Sequence, residues 1–237
     1  MPRWFLAVLA ILLVLGLCGC ASDDISSPGH DVIFFIPGVA GDGPRYSGLR
    51  KGLRDAGISD SVATVSWGAP PPFTVLNFQD RAIHHAAEEK LARRIGDWLQ
   101  ERPSARIRIL AHSAGCGAAL GGLARLPENT SVDQLILLAP SVSPQYDLSP
   151  AAAHVRGNIH VFASDRDDFF LGWRCRTFGT YDNIKTEAAG KIGFASTNNK
   201  LISHAYEPAW QALGDEGDHF GATHREFAAS VLAPLVK

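Results

Sequence analysis

The 237-residue sequence has no excess of basic charge and no long block of one sign. Lys and Arg number 22 against 24 Asp and Glu, which gives a formal net charge of −2. Proteins that bind nucleic acid through its phosphates need a basic surface, so this class of function is excluded. No internal repeat is present, and a hydrophobic content of 46% is enough for one sizeable core. We therefore expect one folded domain.

Motifs for metals and nucleotides are also missing. The chain has no His-Glu-x-x-His and no paired-cysteine signature of a metal site. Gly38, Gly41 and Gly43 follow an apolar run, but no Gly-Lys-Ser/Thr is present and the dinucleotide pattern of glycines is not matched. We expect neither a metal nor another cofactor.

Cysteine is scarce, with four residues in the chain. Cys18 and Cys20 belong to the N-terminal segment, which leaves Cys116 and Cys175 in the folded part. A disulfide requires Cα atoms within a narrow range of distances, which a sequence does not reveal. Two alternatives therefore remain: a disulfide between these residues, or two buried free thiols.

The N-terminal segment is apolar but short. Arg3 precedes an apolar run over residues 4–17, whereas a membrane span needs roughly 20 such residues, so the pattern favours an export signal. Leu17-Cys18-Gly19-Cys20 resembles the lipobox of bacterial lipoproteins. The resemblance implies a signal peptide over residues 1–19, a lipid on Cys20 and anchorage to a membrane of the bacterial cell envelope. An uncleaved anchor helix and an ordinary secretory signal are the alternatives.

After a polar linker over residues 20–30, strand-like and helix-like segments alternate through the domain of residues 31–237. Thr223 with Glu226 three residues later predicts a capping box at the start of the last helix. Strict alternation is typical of a mostly parallel sheet with helices on both faces. Apolar runs predict strands over residues 31–36, 61–67, 105–111, 134–139, 158–163 and 201–206, and helical spacing predicts helices over residues 46–56 and 79–101.

The stretch Ala111-His112-Ser113-Ala114-Gly115 falls where the third predicted strand turns into a helix. This is the position of a nucleophile elbow, a sharp turn that lifts a serine hydroxyl above the edge of the sheet. The turn is strained and needs small flanking residues, which Ala111 and Gly115 provide. The alternative is a strand-to-helix turn that is rich in small residues and has no chemical role.

With an acidic loop and a histidine loop following in that order, residues 31–237 resemble the α/β-hydrolases of the esterase and lipase type. The resemblance implies an α/β-hydrolase fold with about six strands. It also implies hydrolysis of carboxylic esters by a Ser-His-Asp triad through an acyl-enzyme, without a cofactor. Ala111 departs from the family pattern, which usually has glycine there.

The resemblance makes Ser113 the nucleophile and places the acid in the loop after the fifth predicted strand. The family register selects Asp167, and Asp168 and Asp165 remain as alternatives.

Nine histidines compete for the role of base. His84 and His85 are expected on the solvent side of the long helix. Gly217-Asp218-His219-Phe220 matches the loop in which the family places its catalytic histidine, so His219 is assigned as the base. His224 is the other candidate.

The oxyanion hole implied by the resemblance uses the backbone N–H groups of Val39, in the loop after the first strand, and of Ala114. Pro37 stands where the family often has histidine. Two apolar segments, residues 69–78 and 169–181, are expected either to wall a pocket for short to medium acyl or aromatic esters or to pack in the core.

The expected partners are a small-molecule or lipid ester and, through the lipid anchor, a membrane. Two other functions stay open. One is a non-catalytic, lipid-anchored binding or scaffold protein on the same fold. The other is an acyltransferase that uses the same triad to pass the acyl group to an alcohol or an amine.

Overall fold

The computed structural model describes residues 29–58, 61–70 and 72–237. The predicted signal peptide, the lipid site Cys20 and nearly all of the linker lie outside the described residues. Within them, no helix combines the length and the apolar character that crossing a membrane requires.

The apolar runs form one six-stranded sheet in the order β2-β1-β3-β4-β5-β6, and every neighbouring pair is parallel. β1 and β3 are buried along their whole length, as expected of strands covered on both faces. The predicted sheet is therefore confirmed. The strands are β1 Val32–Ile36, β2 Ser61–Thr64, β3 Ile107–His112, β4 Gln134–Leu138, β5 Ile159–Ala163 and β6 Leu201–Ala205.

The α-helices are α1 Ser47–Asp55, α2 Arg81–Glu101, α3 Gly115–Leu123, α4 Ser149–Ala153, α5 Cys175–Phe178, α6 Ala189–Ile192 and α7 Arg225–Phe227. Two π-helical segments cover Asp168–Arg174 and Ala228–Leu232. Short 3-10 turns cover Pro44–Tyr46, Phe73–Phe78, Pro208–Leu213, Gly221–Thr223 and Ala233–Leu235.

The alternating side chains of β1 divide the core between the two faces of the sheet. Phe34 belongs to the apolar cluster that includes Leu91 and Ile95 of α2, whereas Phe35 belongs to the cluster formed with α1 and the C-terminal helical segments. Helices thus cover both faces, and the carboxyl ends of all six strands lie at one edge. Loops that follow different strands therefore meet at that edge.

Several local predictions were wrong. The Thr223 hydroxyl donates a hydrogen bond to the Phe220 carbonyl at 2.7 Å, and the cap position before α7 is held by His224, whose side chain makes no capping bond. β2 ends at Thr64 rather than at residue 67. His84 is buried, because its ring stacks on Tyr181 with centroids 3.8 Å apart.

The long helix begins at Arg81, two residues later than predicted. The carboxylate of Asp80 caps it by accepting from the N–H groups of Ala82 and Ile83. Cys116 and Cys175 are both free thiols and buried, so the disulfide is excluded.

Candidate active site

Ser113 occupies the turn between β3 and α3 with a φ of 57°, in the left-handed region that side chains other than glycine rarely adopt. The turn is held from both sides. The Ser113 N–H donates to the Leu138 carbonyl at 2.9 Å, and the Ser113 carbonyl accepts from the N–H groups of Cys116 and Ser141. A strained backbone fixed in this way presents the serine hydroxyl at the carboxyl edge of the sheet.

The elbow and the loop after β1 pack backbone against backbone. A Cβ atom on Gly115 would lie 2.4 Å from the Pro37 carbonyl oxygen and 2.5 Å from that of Ile36. A Cβ atom on Gly38 would lie 3.1 Å from the Cβ of Ser113. Glycine at both positions allows the two segments to approach this closely.

His219 reaches Ser113 from the loop that precedes the last helical segments. Its Nε2 lies 2.9 Å from the Ser113 Oγ, and the imidazole is 6% exposed. The ring of Phe170 stacks on the imidazole with centroids 4.5 Å apart and planes 22° apart. This contact restricts the rotation of the imidazole.

Asp167 completes the arrangement from the loop after β5. Its Oδ2 accepts a hydrogen bond from the His219 Nδ1 at 2.6 Å. Its Oδ1 accepts from the N–H groups of Phe170 and Leu171, at the start of the following helical turn. Asp167 is 4% exposed, so the carboxylate is held by hydrogen bonds in a site with little solvent.

The competing candidates lie elsewhere. Asp165 is exposed, and the exposed carboxylate of Asp168 pairs with Lys191 at 2.8 Å. His224 is exposed at the start of α7. Of the candidate residues, the structure brings Ser113, His219 and Asp167 together.

The loop of Pro37, Gly38 and Val39 has each of its carbonyl groups engaged by a protein donor. Trp67 Nε1 donates to Pro37, the Gly41 N–H to Gly38 and Asn77 Nδ2 to Val39, at 2.7, 2.9 and 2.9 Å.

The oxyanion hole assigned from the sequence uses two backbone amide groups. Within the part of the chain that the structure describes, the N–H groups of Val39 and Ala114 donate to no protein acceptor. Val39 follows Gly38, which packs on Ser113, and Ala114 directly follows Ser113, so both donors belong to residues next to a contact of the candidate nucleophile. Backbone N–H groups stabilise a developing oxyanion when they point at it.

The sequence analysis did not identify Asn77, Tyr46 and His112 as site residues. Each is buried and bonded to a loop of the site. Burial lowers the pKa of His112 to about 3 and raises the pKa of Tyr46 to about 12, so both side chains are neutral at ordinary pH. The position of His112 beside the candidate nucleophile was the one available signal.

The two apolar segments predicted as pocket walls contact each other. The Arg174 guanidinium lies over the Phe78 ring at 3.6 Å, and the Gln79 side chain donates to the Phe178 carbonyl. The aromatic rings of Phe169 and Trp173 stack at 5.6 Å and are exposed. Other large apolar side chains of the two segments are also exposed: Phe73, Val75, Leu76 and Phe178.

In the described segments, no group of three or more His, Cys, Asp or Glu side chains is arranged to hold a metal ion.

No family model matches the chain, and no curated protein matches it in sequence. Solved structures do match. The chain is similar to esterase PE8, with a TM-score of 0.54 and 14% identity over 91% of this chain and 95% of the other. It is also similar to lipase B of Aspergillus fumigatus, with a TM-score of 0.54 and 14% identity over 90% of this chain and 54% of the other.

A third match is a lipase-esterase related protein from Clostridium acetobutylicum ATCC 824, with a TM-score of 0.52 and 10% identity over 88% of this chain and 94% of the other. At these identities the likeness shows the fold. The chain has an α/β-hydrolase fold, as the sequence predicted.

Proposed function

We propose that the protein is a serine hydrolase that cleaves carboxylic esters with Ser113, His219 and Asp167. One observation carries the proposal: the hydrogen bonds run without a break from Ser113 Oγ through both ring nitrogens of His219 to Asp167, at 2.9 and 2.6 Å. The strained elbow and the two unpaired amide groups beside it support the same chemistry.

In the proposed reaction, His219 Nε2 accepts the Ser113 proton as Oγ attacks the ester carbonyl. Asp167 holds the Nδ1–H tautomer and stabilises the imidazolium that forms. The amide groups of Val39 and Ala114 donate to the oxyanion. His219 then protonates the departing alcohol, and a water molecule activated by the same imidazole releases the acid.

The exposed aromatic side chains around the site favour esters with an apolar acyl or alcohol group, of short to medium length, from a small molecule or a lipid. We further propose that the mature protein carries a lipid on Cys20 and works at a membrane of the bacterial cell envelope. The N-terminal sequence pattern supports this location.

A fluorophosphonate probe tests the proposal directly, because it reacts with an activated serine and not with an ordinary hydroxyl. The protein should be labelled on one serine. Ser113→Ala should abolish labelling, whereas Ser203→Ala, at an exposed position of β6, should leave it intact. A folded protein that is not labelled and hydrolyses no ester would indicate the scaffold function.

A panel of activated esters then distinguishes hydrolysis from acyl transfer. Hydrolysis predicts that release of the free acid is unaffected by added alcohols or amines. Acyl products formed on those acceptors in preference to the acid would assign the triad to a transferase.

A further inference from the structure

A buried chain of hydrogen bonds joins the loop after β1 to the loop of His219. The Gly38 N–H donates to the Tyr46 hydroxyl at 3.0 Å, and this hydroxyl lies 2.9 Å from the His112 Nδ1. The His112 Nε2 lies 2.7 Å from the His219 carbonyl oxygen. Tyr46 and His112 are each 1% exposed, so solvent does not compete for these bonds.

Donors and acceptors can be assigned along this chain of hydrogen bonds in only one way. A carbonyl oxygen can only accept, so His112 must carry its proton on Nε2 to bond with His219. A neutral His112 then has an acceptor at Nδ1, to which the Tyr46 hydroxyl donates. The tyrosine oxygen in turn accepts from Gly38. The pKa values of both side chains, shifted by burial, keep them in these neutral forms.

Both ends of the chain adjoin groups that the proposed reaction uses. Gly38 precedes Val39, whose N–H is one of the unpaired donors, so a shift of Gly38 displaces that donor. His219 supplies the base. The chain of hydrogen bonds passes through His112, the residue directly before Ser113. Ring contacts restrict the two side chains: the Tyr46 ring packs on Phe35 at 4.9 Å, and the His112 ring stacks on Phe220 at 5.1 Å.

We propose that Tyr46 and His112 are positioning residues. They hold the loop of Val39 and the base His219 in fixed positions relative to each other and to the nucleophile Ser113. This inference rests on the proposed function. It assigns neither residue a contact with the substrate. It explains why a polar histidine and a tyrosine hydroxyl occupy the core beneath the elbow.

Tyr46→Phe removes one hydroxyl and keeps the packing of the ring. We expect kcat to fall roughly 10-fold to 100-fold with little change in KM, because the oxyanion donor is displaced by a fraction of an ångström. Tyr146→Phe is the control, because this half-buried tyrosine packs against the apolar core and lies in neither predicted pocket wall. It removes one hydroxyl and should leave kcat unchanged.

His112→Gln and His112→Leu separate the hydrogen bond from the packing, since the two side chains have similar volumes. Only glutamine offers an N–H near the position of Nε2, so His112→Gln should keep a kcat roughly 10-fold above that of His112→Leu. His154→Leu is the control, because the Nδ1 of this distant buried histidine likewise bonds to a carbonyl, that of Thr130 at 2.8 Å.

The order of the bonds gives a further test. In the His112→Leu background the chain is already broken, so Tyr46→Phe should lower kcat by less than about threefold, whereas independent effects would multiply. Binding of a trifluoromethyl ketone, whose adduct places an oxyanion in the hole, should weaken in proportion to kcat/KM in each variant. A role limited to stability would change neither quantity.

One measurement does not depend on enzyme activity. The ¹⁵N shifts of the His112 ring in the wild-type protein should show a neutral Nε2–H tautomer from pH 5 to pH 9, and the opposite tautomer or a protonated ring would contradict the inference. An active wild type with equal kcat in Tyr46→Phe and Tyr146→Phe, or in His112→Gln and His112→Leu, would overturn the inference alone. A wild type without hydrolysis or fluorophosphonate labelling overturns the proposed function and, with it, this inference.

Discussion

The carboxylate of Asp167 binds His219 with one oxygen and begins a helical turn with the other. Oδ2 accepts from Nδ1 at 2.6 Å, while Oδ1 accepts from two backbone N–H groups. The same hydrogen bonds that fix the direction of the imidazole therefore fix the backbone that carries Phe170, which stacks on the imidazole. One carboxylate thus holds the base by two routes.

Asp167→Asn should reduce kcat by on the order of 10⁴ while the protein stays folded. The amide oxygen can still accept from Phe170 and Leu171, but the NH₂ group then faces His219 Nδ1. That nitrogen must become the acceptor, so Nε2 carries the proton and cannot take one from Ser113. Asp165→Asn and Asp168→Asn, at exposed positions, are the controls in a steady-state assay with an activated ester. A larger loss of kcat from either control would assign the role of the acid to that residue instead of Asp167.

Ser113→Ala and His219→Ala should each remove most of kcat, and the double variant should be scarcely slower than either. The two side chains share one proton transfer across 2.9 Å, so the second loss removes nothing further. Activity should fall in acid, because a protonated imidazole accepts no proton. His224→Ala should change kcat little. Additive losses in the double variant would show that the residues act separately.

Gly115→Ala should lower both stability and kcat. The new methyl group would lie within 2.5 Å of two carbonyl oxygens, so the elbow must move away from the loop after β1. We expect a loss of about 1–3 kcal/mol in the free energy of unfolding. Gly96→Ala is the control. Its Cβ meets nothing within 4 Å, so this helical position should gain about 1 kcal/mol with kcat unchanged. Unfolding in urea measures both changes.

Acid should destabilise the fold partly through His160. Burial and the adjacent His204 lower the pKa of His160 from 6.5 to about 4. Between these values the unfolded chain binds a proton that the folded protein does not, so this stabilisation is complete above about pH 6.5 and is lost as the pH falls.

Its contribution between pH 7 and pH 5 is at most about 2 kcal/mol. His160→Gln should therefore flatten the decrease of melting temperature with acid, whereas His85→Gln, at an exposed position, should not. Parallel curves for the wild type and His160→Gln would assign the acid sensitivity to other groups.

Expressed in a bacterium that processes lipoproteins, the protein should begin at Cys20 in its mature form, carry lipid and partition into membranes. Cys20→Ala should remove the acyl mass and release the protein from the membrane fraction. Mass spectrometry of both forms measures this. An unchanged acyl mass in the Cys20→Ala form would contradict the lipobox interpretation.

The sheet was predictable because β1 is a continuous apolar run and β3, β4 and β5 are largely apolar, and such runs indicate strands buried on both faces. The elbow was predictable because a strained turn restricts its neighbours to small residues, so Ser113 and Gly115 carry a local signal. The true start of the last helix was not predictable, and the cap expected at Thr223 is not formed. Its hydroxyl bonds to Phe220 instead, because the chain makes a separate 3-10 turn before α7.

Tyr46 and Asn77 have no such local signal, and His112 has only its position next to Ser113, because their partners lie far along the chain. The Tyr46 hydroxyl bonds to a side chain 66 residues away, and His112 bonds to a carbonyl 107 residues away. His84 was misplaced for the same reason. Its ring bonds to the carbonyl of Asn77 and stacks on Tyr181, which lies beyond the predicted helix. Such contacts depend on tertiary packing.

Because all six strands run the same way, the chain enters the domain at the end of β1 that is opposite the triad. The five residues of β1 alone separate these edges by roughly 17 Å. Ten residues separate Cys20 from Asp31 and reach at most about 36 Å. In the proposed lipoprotein, the tether is therefore attached at the edge of the sheet opposite the edge that carries Ser113.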